Sequence, residues 1–393
     1  MHLPDPARLV ATLADTGRRL VIVAAGGGSP AIPHLVTTPG ASAVVLEALV
    51  PSARAAVDGM LGGPQESYCA TRTARRLAAA AWQRAGRLAA AEGDVDAPAR
   101  AVGAAVTASL RTSRPKRGDH RVCVAVQTLA ATHVAELVLD KDARSRGDEE
   151  TIAAALLLDL VIDACAAGGP GGLSGLRPGE VVRRDAVAAP PAWRELLAGV
   201  RPVTCGAPGG CPAPAAGGLV FPGSFNPLHE GHRLMARIAE EIAERPLAWE
   251  ISVTNVDKPL LDYVEIRDRA AQFTDRPLWL TRAATFLEKL DVFPESTFVM
   301  GADTYVRLAD PRYYGGSATA AEAAVEAIAE RARGLVVFGR VRDGVFEDAS
   351  HLDLPKRLRD VSYFVSRREF RLDVSSSELR RRALAREDAA CDE

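Results

Sequence analysis

The chain has 393 residues, long enough for two or three domains that each bury a core. Its residues are 48% hydrophobic and 25% charged, an ordinary globular balance, and a formal net charge of −2 gives no reason to expect bulk nucleic-acid binding or a membrane surface. No apolar run approaches the ~20 residues that span a bilayer.

The N-terminus, Met-His-Leu-Pro-Asp-Pro, has no basic stretch leading into an apolar run, so no signal peptide is predicted and a cytoplasmic protein is expected. Six cysteines (Cys69, Cys123, Cys165, Cys205, Cys211 and Cys391) are scattered without a C-x-x-C pair, which predicts free thiols in a reducing compartment. Cys205 and Cys211 flank a Gly/Pro loop. They read as loop cysteines, since no further Cys/His pair lies nearby to complete a metal site.

In chain order, residues 7–17 read as a helix and 20–24 as a buried strand that meets a Gly26-Gly27-Gly28-Ser29 turn. A glycine run between strand and helix either holds an anion or is a plain tight turn. Residues 69–90 and 150–166 are alanine- and leucine-rich and helical, and 101–109 and 121–127 read as strands. Between the two strands lies a basic loop, 111–117, which reads as a solvated surface loop. Residues 167–217 change composition to Gly and Pro runs around one helix at 192–200, which predicts a linker.

From residue 218 strands and helices alternate. Leu219, Val220 and Phe221 form a short strand, the chain turns through Pro222, Gly223, Asn226 and Pro227, and a helix begins near His229. Strand, glycine turn and helix N-terminus make a site for phosphates, with His229 and His232 on one side of the first helical turn. Further strands are predicted at 249–253, 278–281, 297–304 and 335–340, and helices at 231–244, 265–273 and 284–290. Residues 370–374 read as a strand feeding a serine-capped helix start at Ser375, Ser376 and Ser377.

The spacing of Gly223, Phe225, Pro227, His229, Gly231 and His232 resembles the G-x-F-x-P-x-H-x-G-H signature of the nucleotidylyltransferase superfamily. Val374-Ser-Ser-Ser-Glu-Leu-Arg380 resembles its second signature, I-S-S-T-x-I-R, and Gly301-Ala-Asp303 the G-A-D segment of nicotinamide-mononucleotide adenylyltransferases. The resemblance implies a Rossmann-like parallel-sheet domain over 218–393 that moves a nucleoside monophosphate from a triphosphate to a phosphate-bearing acceptor, releasing pyrophosphate. It implies catalytic roles for His229, His232 and Arg380, and nucleotide contacts from Gly223, Ser224, Phe225, Asn226, Gly231 and Ser375, Ser376 and Ser377. Mg²⁺ is the expected cofactor. Asn255, Lys258 and Arg267 are acceptor candidates by their place beyond a strand end; the resemblance adds Asp303 as an acceptor-binding residue in contact with the nucleotide, its other reading being a helix cap.

Residues 5–166 resemble, more loosely, the CinA C-terminal family, which includes nicotinamide-nucleotide amidases; the strand 20–24, the turn 26–29, the 39–42 block and segment 49–54 carry this. Ala25 stands in place of that family's nucleophilic serine, Ser52 falls near its tyrosine, and its lysine has no counterpart, because the first lysine is Lys116. A serine–lysine amidase needs a hydroxyl with a base in reach. The resemblance therefore implies a catalytically inactive α/β domain over 1–166, with Ser29 as the displaced alternative, and a homo-oligomer.

The leading expectation is ATP with nicotinamide or nicotinate mononucleotide. The alternatives are a cytidylyltransferase, a phosphopantetheine-type adenylyltransferase, or a non-catalytic nucleotide-binding sensor or scaffold. No nucleic-acid or membrane partner is expected.

Overall fold

The computed structural model describes residues 3–114, 116–165, 173–206, 214, 216–342, 345–347, 352, 354–366 and 368. The chain divides into two compact units: Met1–Ala198 with Asp257–Glu265, and Gly199–Val256 with Ile266–Glu393. Both are α/β. Among the described residues, no helix is long and apolar enough to cross a membrane.

Unit 1 opens with α1 (Pro6–Asp15), β1 (Arg19–Ala25), α2 (Ala31–Val36), β2 (Val45–Leu49), α3 (Arg54–Leu61), α4 (Thr71–Ala91) and α5 (Ala97–Arg100). It continues through β3 (Ala101–Ser109), β4 (His120–Gln127), β5 (Ala131–Leu139), α6 (Arg146–Cys165), β6 (Arg183–Ala188) and α7 (Pro191–Ala198). The sheet order is β2-β1-β3-β4-β5-β6, parallel from β2 to β3 and antiparallel beyond. Both faces are covered, which is why β1 reads as a continuous apolar run. Val102, Ala104, Val106, Val122, Val124 and Val126 pack with the wholly buried stretch of α6 from Ile152 to Val161. The alternate residues face α4. Gly103 marks the closest approach, since a Cβ there would come within 2.1 Å of Ala78 O and 2.2 Å of Trp82 N.

Unit 2 contains β7 (Val203–Cys205), β8 (Leu219–Pro222), α8 (Glu230–Ala243), β9 (Leu247–Ser252) and α9 (Tyr263–Ala270), whose residues from Ile266 onward belong to it. There follow β10 (Leu278–Thr281), α10 (Phe286–Val292), β11 (Thr297–Gly301), α11 (Ala302–Arg307), α12 (Ala318–Arg331) and β12 (Gly334–Phe338). A two-stranded ribbon, β13 (Arg340–Arg342) with β14 (Val345–Glu347), then α13 (Lys356–Asp360) and β15 (Ser362–Val365) complete it. The seven-stranded sheet has the order β15-β12-β11-β8-β9-β10-β7 and is parallel throughout except for β7. The chain runs outward from β8 through β9 to β10, then returns to place β11 on the other side of β8. That reversal is a topological switch point, where ligands bind beyond the carboxyl ends of the strands.

The stretch expected as linker is partly built into both sheets. β6 pairs with β5 as one edge strand, and β7 pairs with β10 as another. Short strands whose partners lie far away in sequence leave no periodicity in a Gly/Pro-rich setting. The predicted helix is α7, ending at Ala198. β2 and β5 are further strands absent from the sequence reading, and the predicted strand 297–304 stops at Gly301, the N-cap of α11. The cysteine reading also needs correction. Cys69, Cys123 and Cys165 are free, but Cys205 is disulfide-bonded. Two sulfurs can meet in the fold without a C-x-x-C pair in the sequence.

Candidate functional site

β8 ends in a turn that packing holds rigidly. Gly223 N–H donates to Glu250 O at 2.9 Å, and a Cβ on Gly223 would lie 2.6 Å from the Phe225 ring, so only glycine fits. Phe225 takes a left-handed backbone (φ 42°), which costs about 1–3 kcal/mol for a non-glycine residue. Burial offsets this cost. The Phe225 ring is 1% exposed and makes edge contacts with Phe221, Trp249 and Phe273 at 5.0–5.4 Å between centroids, each such pair being worth about 0.5–1.5 kcal/mol beyond its area. The Asn226–Pro227 peptide is cis.

His229 is the N-cap of α8. Gly231 N–H donates to His229 Nδ1 at 3.1 Å, and His229 N–H donates to His232 Nδ1 at 3.3 Å. The two rings stack with centroids 3.8 Å apart. Burial pushes His229 below the ordinary histidine pKa, Glu230 opposing. Burial, then the neighbouring His229, lowers His232 from 6.5 to about 3. The cause is visible: Phe225 meets the His232 ring edge-on at 5.0 Å and Phe221 at 6.1 Å. His232 is therefore neutral at physiological pH. A neutral imidazole whose Nδ1 accepts a backbone N–H carries its proton on Nε2. The pair thus presents two Nε2–H donors at a helix N-terminus, where backbone N–H groups and the helix dipole already favour an anion.

Residues that the sequence reading did not single out brace this turn. Gln272 accepts from Leu228 N–H at 2.7 Å and donates to Phe225 O at 3.2 Å, and Arg269 donates to Ser224 O at 2.9 Å. Below, Lys289 Nζ donates to both Glu250 oxygens at 2.8 and 2.9 Å and to Ala283 O, with Thr281 Oγ1 also donating to Glu250. Glu250 is wholly buried and Lys289 is 5% exposed, so this is a fully partnered ion pair under the β9 end that holds Gly223. No motif marks these positions; Gln272 lies 44 residues from its nearest partner in the turn.

The other expected residues are placed as follows. Ser224 is exposed, Asn226 half-buried and Gly231 buried within the same turn and helix start. Asp303 is exposed in the first turn of α11, directly after β11; Gly301, not Asp303, is the N-cap. β11 pairs with β8 in parallel, Thr297 with Leu219 and Phe298 with Val220, so continuing that register sets Gly301 level with Gly223. The histidine turn and the Gly-Ala-Asp segment are thus brought to the two sides of the switch point. Asn255 is exposed beyond β9, and Arg267 is exposed on α9 with its Nε donating to Asp268 at 2.9 Å. Lys258 belongs instead to the Asp257–Glu265 segment of unit 1, where Asp257 O packs against Gly62. Ser375, Ser376, Ser377 and Arg380 lie outside the described residues.

In unit 1 the glycine turn is not an open anion cradle. Gly28 N–H donates to Glu150 at 2.6 Å, so a carboxylate of the chain itself holds that donor. Gly26 and Gly27 would clash with Ala108 and Leu110 if they bore a Cβ; the run serves close packing. The basic loop is also tied down. Arg111 N–H donates to Glu149 at 2.6 Å, and Lys116 Nζ donates to Ser109 Oγ at 2.8 Å and to Leu110 O. Burial lowers the Lys116 pKa, with Glu149 opposing. The first lysine of the chain thus meets a serine, Ser109, that sequence spacing did not suggest.

Residues 220–382 match the family model described as cytidylyltransferase-like. No curated protein matches the chain. Among solved structures, the chain is similar to the competence/damage-inducible protein CihA of Agrobacterium tumefaciens, at 19% identity and TM-score 0.32, covering 41% of this chain and 97% of that one. It is similar to a competence-damaged protein (CinA) superfamily member of Escherichia coli at 17% identity and TM-score 0.32, covering 40% and 91%. A competence- or damage-inducible protein of Enterobacter asburiae is similar at 20% identity and TM-score 0.28, covering 42% and 99%. With a glycine turn and paired histidines at the switch point of a parallel sheet, and this family match over the same residues, the second unit carries a cytidylyltransferase-like domain of nucleotidylyltransferase type.

Proposed function

We propose that the second unit transfers AMP from ATP to nicotinamide or nicotinate mononucleotide, releasing pyrophosphate. The observation that carries the reaction type is the stacked pair of neutral histidines, each with its proton on Nε2, at the N-terminus of α8. The acceptor assignment is supported by the resemblance of Gly301-Ala-Asp303, which borders the same switch point.

The acceptor phosphate attacks the α-phosphorus of the triphosphate and the bond to the β-phosphate oxygen breaks. No covalent enzyme intermediate is required, so catalysis consists of positioning and charge stabilisation. His229 and His232 donate through Nε2–H to α- and β-phosphate oxygens, and more strongly as negative charge builds in the transition state. A pair held neutral at physiological pH can do this without changing its own charge. Gly223, Ser224, Phe225, Asn226 and Gly231 shape the phosphate turn. Ser375, Ser376, Ser377 and Arg380 hold the leaving β- and γ-phosphates, and Asn255 and Arg267 serve the acceptor.

Mg²⁺ fits this donor set as a phosphate-borne ion. Among the described residues, no group of three or more His, Cys, Asp or Glu could hold a metal, and Mg²⁺ keeps much of its water and binds through phosphate oxygens with one or two carboxylates. Among the described residues, Asp303, in the first turn of α11, is one carboxylate beside the switch point. When bound, Mg²⁺ neutralises charge on the departing pyrophosphate.

A pyrophosphate-release screen crossing ATP and CTP with phosphate-bearing acceptors tests the proposal. Turnover with ATP and either mononucleotide is expected. The second reading, a cytidylyltransferase, is favoured by the description of the matched family and would replace the first if only CTP pairs react.

A further inference from the structure

Two free cysteines of unit 1, 54 positions apart in sequence by number, meet on the α4 face of its sheet. Cys69 lies just before the N-cap of α4, Ala70, which has no side-chain cap. Its Sγ reaches Arg121 O at 3.5 Å and Thr107 O at 3.8 Å. Thr107 is the direct cross-strand partner of Cys123, and Glu136 faces Cys123 from the other side. Val122 and Val124 point into the α6 core, so alternation along β4 turns Cys123 to the α4 face, where Cys69 sits. The Arg121 and Thr107 carbonyls that Cys69 reaches flank Cys123 on this face, so the two thiols are neighbours. Arg121, Lys116 and Glu136 are the charged groups around them.

We propose that Cys69 and Cys123 form a thiol-exchange site for low-molecular-weight disulfides, with Cys69 the attacking thiol and Cys123 the resolving one. The asymmetry has a physical basis in exposure: Cys69 is half-buried, whereas Cys123 is wholly buried. The neighbouring Cys123 thiol holds Cys69 below the usual thiol range, with Arg121 and Lys116 acting the same way against burial. Cys123 is driven far above that range, first by the neighbouring Cys69 and then by burial. The uncapped start of α4 adds its dipole in favour of a thiolate at Cys69. Two carbonyls, those of Arg121 and Thr107, favour the thiol form instead.

In the first step the Cys69 thiolate attacks one sulfur of the small disulfide. A mixed disulfide forms and one small thiolate leaves. This removes the negative charge that suppressed ionisation of Cys123. Cys123 then passes its proton to water or to the departing thiolate and attacks the Cys69 sulfur. The Cys69–Cys123 bond forms and the second small thiol leaves. The protein dithiol loses two electrons and two protons, and the small disulfide becomes two thiols. The product ties the entrance of α4 to β4.

The test treats the full chain with oxidised glutathione, quenches with a maleimide and maps the peptides by mass spectrometry. Expected is a Cys69–Cys123 cross-link, the two thiols being lost together, while Cys165, pushed up to about 11 by burial, keeps its label. Cys123→Ser should accumulate a stable glutathione adduct on Cys69. Cys69→Ser should slow modification of Cys123 at least ~tenfold, since Cys123 is wholly buried and the small disulfide reaches it only through Cys69. Arg121→Gln should slow the first step severalfold. A persistent adduct on Cys69 in the unsubstituted chain overturns the resolving role. Reaction of Cys69 no faster than Cys165, or of Cys123 undiminished in Cys69→Ser, overturns the site. The unsubstituted chain needs no variant to fold, so its peptide map decides by itself.

Discussion

The sharpest test of the histidine site is His232→Asn. In the folded chain His232 Nδ1 accepts from His229 N–H at 3.3 Å, which leaves the proton on Nε2. An asparagine amide oxygen stands near the place of Nδ1 and preserves that cap, but nothing replaces the Nε2–H donor. If that donor acts on charge developing in the transition state, kcat for pyrophosphate release should fall ~10²–10³-fold while KM for the triphosphate changes little. His232→Gln, whose amide nitrogen reaches towards the Nε2 position, should recover part of the loss. The same substitution has an acid signature. The folded pKa of about 3 lies below the ordinary 6.5, so the unfolded chain takes up the proton first as pH falls. The stability that His232 contributes is therefore complete above about 6.5 and is lost progressively towards about 3. At the acid end this amounts to a few kcal/mol, ~3 after allowing for partial exposure of the ring. Urea titrations across that range should show His232→Asn with the flatter pH dependence. A variant with near-normal kcat, or one with an unchanged acid slope, would refute the assignment of a buried, neutral, donating imidazole.

Gln272→Leu should leave Leu228 N–H and Phe225 O without their partner, costing about 1–3 kcal/mol and raising KM for the triphosphate; thermal melts and initial rates check both, and an unchanged KM would separate the brace from the phosphate turn. Arg380→Ala should raise KM for the triphosphate and spare acceptor affinity, because a guanidinium matches phosphate oxygens bidentately, whereas Arg381→Ala and Arg382→Ala should be tolerated. Equal defects in all three would indicate general surface charge instead. The full chain should release no ammonia from nicotinamide mononucleotide, since Ala25 stands where the family resemblance places the nucleophile. Ammonia release abolished by Ser29→Ala would identify a displaced nucleophile, and release abolished by Ser109→Ala would assign the chemistry to the Ser109–Lys116 pair.

The histidine turn was legible because all its parts are local. Strand, glycine, paired histidines and helix start lie within fifteen residues, and each obeys a rule of backbone geometry or spacing that sequence displays directly. The alternation of strand and helix from residue 218 likewise announced a parallel sheet, because covered parallel strands are short and apolar. What sequence could not show is everything that depends on a distant partner. It did not reveal that Phe221 and Phe225 desolvate His232 and so keep it neutral, nor that Gln272 and the Glu250–Lys289 pair brace the turn. The edge strands β6 and β7 hid in a stretch of linker composition, since an edge strand needs only a neighbour's free backbone groups. Lys258 reads as a neighbour of Asn255 along the chain, yet the fold counts it with the other unit. The glycine run of unit 1 could have held an anion by its composition alone, until Glu150, 122 positions from Gly28, took the donor. Burial, protonation state and brace are properties of side chains brought together by the whole fold, and only the tertiary structure decides them.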